Sequence, residues 1–173
     1  MKIKVTASVN RLGETTKKVL TEVGEKVGLE EVVVTSTLRT PLAQAEAMLT
    51  NIENNHIIRY KWAGEEVNNL ARKMRGEKAS RKDIIEAMVA KIKELAKLGA
   101  EGRVSRHCVG EEEYDNCNII DVSYRSMPEG KREEFLKAMI AREEVAKVIQ
   151  PISKKIQGYD GGEPAMHFEI NQA

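Results

Sequence analysis

Two short runs rich in β-branched residues flank a helical pattern near the start of the chain, and this order constrains the fold more than any other feature. The runs are KIKVTASV and EEVVVTSTL. The segment between them places apolar residues at helical spacing before Gly28, a residue type that commonly ends helices. These apolar residues are Leu12, Val19, Leu20, Val23 and Val27. We therefore predict a strand, a helix and a second strand, in that order.

Two more helices are predicted in the segment that follows. Thr40 and Pro41 supply a cap and a first-turn proline for a helix that ends near residues 54–55. The next helix is predicted over residues 56–75, with Gly76 closing it.

Capping patterns of the Ser-x-x-acid type predict two later helices. Ser80 and Asp83 form such a pattern, and so do Ser126 and Glu129. The last of these helices is expected to run through residue 148 and to stop before Pro151, because proline cannot continue a helix. The run AMHFEI then reads as a final strand.

This mixture of elements predicts an α+β fold with a small antiparallel or mixed sheet and helices packed on one side, because strands and helices do not alternate strictly. The chain has 173 residues, of which 41% are apolar, and it contains no internal repeat or linker. We expect one domain over residues 1–173.

Charge and targeting signals argue against several classes of partner. Lys plus Arg total 28 and Asp plus Glu total 27, so no global charge favours nucleic acid or an anionic membrane. The start, MKIKVTASVN, lacks the apolar core of a signal peptide. We expect a protein that is cytoplasmic as synthesised, with no nucleic-acid or membrane partner; the oligomeric state stays open.

Three polar residues in or beside the strand-like runs are candidate metal ligands. His107 and His167 have polar or acidic neighbours, and Asp121 lies inside the apolar run NIIDVS. A hydrolytic zinc site needs three protein ligands drawn from His, Asp or Glu, with a fourth position open for water. These three residues can supply that set, although the histidines can equally be ordinary surface or core residues.

Short motifs around these residues resemble a known family. SRHCVG has the pattern Ser-x-His-x-x-Gly, VVVTSTLRTPLAQAEAM is a strand followed by Arg-Thr-Pro and a helix with Gln44 early in it, and EPAMHFEI closes the chain. In this order they resemble the zinc D-alanyl-D-alanine carboxypeptidase family, which includes the vancomycin-resistance D,D-peptidases and phage L-alanyl-D-glutamate endolysins. The resemblance spans roughly residues 29–170.

The resemblance implies roles for specific residues. Arg39 and Ser105 match substrate-binding positions. His107, Asp121 and His167 match the zinc ligands, with the zinc site at the sheet. Glu163 corresponds to the general base.

The chain departs from the family pattern at two positions. The family aspartate follows its histidine after a short gap, so either EEEYDNC is an insertion before Asp121 or Asp115 is the ligand. We prefer Asp121, because Asp115 lies among turn-forming residues. The family base stands three residues before the last histidine, where this chain has Pro164.

Several alternatives around the site remain open. Glu169 and Asp160 compete with Glu163 as the base, and Glu169 can instead orient His167 from the same strand face. Cys108 and Cys117 read as thiols rather than a disulfide. A Cys-His zinc site is a further alternative, as is packing of Cys108 behind the site.

The function that the resemblance implies is a zinc metallopeptidase that cleaves a small cell-wall (peptidoglycan) peptide containing D-amino acids. A cell-wall substrate lies outside the membrane, yet the chain shows no export signal. This combination suits either a phage lysis enzyme that is released through a pore or an intracellular protein that acts on something else. Two alternatives are a non-catalytic zinc-binding relative, used for binding or structure, and a plain α+β binding module.

Overall fold

The computed structural model describes residues 1–56, 58, 60–149 and 165–172. These residues form six α-helices and one five-stranded mixed sheet, which is the α+β class that the sequence predicted. By internal contacts the chain divides into two compact units, Met1–Leu38 with Gly110–Ala173, and Arg39–Val109. The single domain over residues 1–173 stays a prediction.

The first unit contains every strand of the sheet. Its elements in chain order are β1 (Lys2–Val5), α1 (Glu14–Lys26), β2 (Glu31–Ser36), α5 (Glu111–Asn116), β3 (Cys117–Ser123), α6 (Glu129–Ile140), β4 (Val145–Ile149) and β5 (Ala165–Asn171). The strand order is β1-β2-β3-β5-β4. Strands β1 and β2 are parallel, and the other neighbouring pairs are antiparallel.

One face of this sheet packs against α1 and α6. Alternate residues such as Val34, Ile120 and Phe168 point toward these helices and are fully buried. Phe135 of α6 meets Phe168 edge to face, with ring centroids 6.2 Å apart. The residues between them in sequence, including Asp121 and His167, therefore point to the opposite face.

The second unit consists of α2 (Pro41–Glu53), α3 (Trp62–Gly76), α4 (Arg81–Ala96) and a 3-10 turn (Gly99–Gly102). The predicted caps are present: the Thr40 hydroxyl accepts from the amide of Ala43, and the Ser80 hydroxyl accepts from that of Asp83. The three helices enclose a separate apolar core that includes Met48, Leu49, Val67, Met88 and Ile92.

Three local predictions were wrong. Helix α3 begins at Trp62 rather than at residue 56. Residues 145–149 form β4 instead of continuing a helix, since VAKVI pairs with β5 and tertiary pairing overrides a helical spacing. Ser126 does not cap α6, because its hydroxyl donates to the carbonyl of Ser123 and Pro128 occupies the cap position.

Within the described residues, no helix combines the length and the apolar character that a membrane span needs.

Candidate metal centre

Asp121 and His167 are direct neighbours across two central strands. They are register partners in the antiparallel pair of β3 and β5, on the face that points away from α1 and α6. Their side chains form a hydrogen bond with 2.9 Å between His167 Nδ1 and Asp121 Oδ1. The residues on either side, Ile120 and Phe168, are buried in the core and hold the two strands in this register.

A bulge in β2 lies next to this pair. Val34 pairs with Val122, but Ser36 pairs with Asp121, so β2 carries one extra residue at this point. That residue, Thr35, directs its hydroxyl to the carbonyl oxygen of Asp121 at 3.4 Å. The polar end of β2 therefore supports the backbone of Asp121, a role that the sequence analysis did not assign.

His107 is positioned by a tight turn that the Ser-x-His sequence forms. The Ser105 hydroxyl accepts from the amide of His107 at 3.3 Å, and the amide of Cys108 donates to the Ser105 carbonyl at 3.1 Å. The carbonyl of His107 accepts from the amide of Arg39 at 2.8 Å. His107 is only 6% exposed, so this turn holds a buried imidazole in place.

The three side chains singled out by the sequence lie together in the structure. His107, Asp121 and His167 each offer one ligand atom, and these atoms all lie within 4.8 Å of one another. Both histidines are buried and the aspartate is half-buried. This group can hold a metal ion.

The donor set suits a divalent transition metal. Two imidazoles and one carboxylate match the three protein ligands of catalytic zinc sites. Ligand atoms at 2.0–2.1 Å from a tetrahedral zinc lie about 3.3 Å apart, so the three atoms, which lie within 4.8 Å of one another, would have to draw closer to bind one zinc ion.

Glu169 lies on the same strand face as His167. Its Oε1 is 3.5 Å from His167 Nε2 and 3.7 Å from Nζ of Lys147 on the neighbouring strand β4. A carboxylate at this place can orient the imidazole, and the lysine balances its charge. This placement agrees with the alternative in which Glu169 supports His167.

Arg39 follows β2 and precedes the first turn of α2. Its side chain donates from Nη1 to Oε1 of Gln44 at 3.1 Å, and Gln44 is buried in the helical unit. The backbone bond to His107 places Arg39 beside the turn that carries this histidine. The substrate-binding roles of Arg39 and Ser105 stay predictions.

Asp115, the alternative ligand, forms an ion pair with Arg11 on the surface. It lies on α5, the short helix formed by the predicted insertion, and both of its carboxylate oxygens accept from Arg11, at 3.0 and 2.6 Å. These hydrogen bonds, with a third that Arg11 donates to Glu111, raise the pKa of Arg11. The metal-ligand group contains Asp121 and not Asp115.

The two cysteines are free thiols outside the ligand group. Burial raises the pKa of Cys108, although the charge of Arg39 opposes this, and Cys108 packs against the helical core. Burial also raises the pKa of Cys117, with Glu169 and Glu113 adding to the effect. The predicted base Glu163 and its alternative Asp160 lie outside the described residues, as does Pro164.

Compared with known proteins, the chain matches no protein-family model, no curated protein and no solved structure. A functional assignment therefore rests on the site residues and their geometry.

Proposed function

We propose that His107, Asp121 and His167 bind zinc and that the protein is a metallopeptidase acting on small peptides, specifically cell-wall peptides that contain D-amino acids. The observation that carries the proposal is the clustering of three ligand atoms within 4.8 Å of one another, from residues as far apart in the sequence as His107 and His167. The substrate class comes from the motif resemblance described above.

The ligands fit a hydrolytic role. Zinc held by such a set acidifies a water molecule and polarises a carbonyl group. Two neutral imidazoles and a single carboxylate leave one positive charge on the site, and three protein ligands leave room for a water or a substrate oxygen. The hydrogen bond between Asp121 and His167 already aligns two of the ligands.

Arg39 and Ser105 are proposed to contact the substrate. The planar guanidinium of Arg39 suits a two-point grip on a carboxylate, which favours peptides with a free carboxylate near the cut bond. Both residues contact the His107 backbone, Arg39 at the carbonyl and Ser105 at the amide. A substrate held by them would therefore lie beside a metal ligand.

Glu163 is proposed as the general base. It would take a proton from the attacking water and pass it to the amine that leaves, so the proton is conserved through the cleavage. Glu169 has a different role in this scheme, because its carboxylate already lies beside Lys147 and His167 and serves to orient the imidazole.

The first experiment measures the metal content and the hydrolysis of a panel of D-amino-acid peptides by the purified protein. We expect one zinc per chain and a released amine product. Because two histidines and a carboxylate also bind iron(II) in other proteins, iron is measured alongside zinc. Loss of metal binding in His167→Ala, with the fold retained by circular dichroism, would support the ligand assignment.

The second experiment replaces Glu163 by Gln. This change removes the proton acceptor but no ligand, so hydrolysis should fall at least 100-fold, in line with the usual contribution of a general base, while zinc stays bound. Glu129→Gln, at an exposed position at the start of α6, serves as the matched control. Full activity in Glu163→Gln would move the role to Glu169 or Asp160.

A non-catalytic metal-binding protein is the second candidate. The sequence feature that favours it is Pro164, which occupies the position where the family carries its acidic base. Stoichiometric zinc without hydrolysis of any peptide in the panel would establish this second function in place of the first.

A further inference from the structure

A cavity of about 380 Å³ lies within the helical unit, between α2 and α3. Its residues recur at helical spacing. Met48, Asn51, Ile52 and Asn55 lie on one side, and Asn68, Arg72 and Arg75 lie on the other. The volume is in the range of pockets that hold small organic ligands.

One buried asparagine of the lining has a side-chain oxygen with no hydrogen-bond partner among the described residues. Asn68 is 3% exposed, and its Oδ1 has no partner within the part of the chain that the structure describes. Leaving a buried amide oxygen unpaired costs roughly 1–3 kcal/mol. Asn68 also lines the cavity, so a rotation of its side chain would present this unpaired acceptor to an N–H or O–H group of a bound molecule.

Two further asparagines extend this amide-rich lining. Asn51 lies in the last turn of α2 and Asn55 lies two residues beyond the end of that helix, and the Asn51 side chain hydrogen-bonds Tyr60. A side-chain amide carries both donors and an acceptor, so it complements the N–H and C=O groups of a peptide unit. Three asparagines in one cavity favour a ligand that itself contains amides.

Arg72 and Arg75 add positive charge at the cavity. Arg75 donates from Nη1 to the carbonyl of Ile52 at 3.4 Å, and Arg72 lies 3.7 Å from a carboxylate oxygen of Glu65. A guanidinium has five N–H donors, so each arginine keeps donors for a ligand. Arginine forks match carboxylates in geometry and charge.

From this lining we infer that the cavity is a binding site for a short peptide with a free C-terminal carboxylate. The carboxylate pairs with Arg72 and Arg75, a peptide N–H donates to Asn68 once its side chain has turned toward the cavity, and an aliphatic side chain contacts the half-buried Ile52. The site belongs to the helical unit and requires neither a metal nor hydrolysis, so it goes beyond the proposed activity.

Calorimetric titration of the full-length protein tests this inference. The probes are N-acetyl-L-alanyl-L-alanine and its C-terminal carboxamide, which differ only in the charged group. We expect the acid to bind about tenfold more tightly than the amide. Arg75→Gln should remove that difference, whereas Lys73→Gln, an exposed position on the same helix, should keep it.

A second variant separates this site from the metal centre. His167→Ala should bind the acid as tightly as the parent protein does, whether or not the parent hydrolyses any peptide. Equal affinity for the acid and the amide, unchanged binding in Arg75→Gln, or loss of binding in His167→Ala would each overturn the inference. Because Arg75 is exposed, its replacement should leave the fold intact.

Discussion

Asn118→Ala should destabilise the protein well beyond the usual cost of a polar-to-alanine change. Asn118 lies on β3, three residues before Asp121, and is 1% exposed. Its Oδ1 accepts from the amide of Gly13 at the start of α1, at 2.6 Å. Its Nδ2 donates to the carbonyl of Tyr114 on α5, at 2.8 Å. One side chain thus ties two helices to the strand that carries a candidate ligand.

The magnitude follows from the two backbone groups that lose their partner. An unsatisfied buried donor or acceptor costs roughly 1–3 kcal/mol. The Tyr114 bond is buried, whereas the Gly13 bond is partly buried and water can replace some of it. We therefore expect the free energy of unfolding to fall by about 2–3 kcal/mol, which lowers the Tm of a chain of this size by roughly 4–12 °C.

Urea unfolding, monitored by circular dichroism, measures this loss of stability, and thermal unfolding gives a second measurement. The matched control is Asn69→Ala, which removes an exposed asparagine from α3 and should change the stability by less than about 0.5 kcal/mol. A loss below about 1 kcal/mol in Asn118→Ala would refute the reasoning, because the two hydrogen bonds would then have no net value.

Three further predictions concern single side chains. Ser105→Ala removes the hydroxyl that accepts from His107 and should weaken zinc binding about tenfold in a chelator competition; an unchanged affinity would contradict its positioning role. Burial raises the pKa of Tyr114 to about 12, above its ordinary value of about 10, so its neutral form is favoured in the folded state. The contribution of Tyr114 to the free energy of unfolding should be constant below pH ~10 and should be lost as the pH rises toward ~12. In urea unfolding, Tyr114→Phe should show a smaller decline in stability over this pH range. Equal declines in both proteins would show that Tyr114 is not the source. Since burial also raises the pKa of Cys108, alkylation at pH 7 should be slower in the folded than in the urea-unfolded protein, and equal rates would argue against burial.

The local structure could be predicted from the sequence because it depends on neighbours in the chain. The caps at Thr40 and Ser80 act over three residues, and β-branched runs set β1 and β2. The candidate ligands could also be predicted from the sequence, because few residue types bind zinc and the chain has only three histidines. Such inferences need no knowledge of which distant segments meet.

Only the tertiary structure decided how the ligands are arranged. The choice of Asp121 over Asp115 follows from the β3–β5 register, which places Asp121 opposite His167 while Asp115 pairs with Arg11 on the surface. A slip of β5 by one residue against β3 would turn His167 toward the core while Asp121 stayed on the opposite face. The strand at Val145–Ile149 likewise exists because β5 offers an edge to pair with. Strand pairing joins segments far apart in the chain, so its outcome depends on the packing of the whole sheet and not on any local pattern.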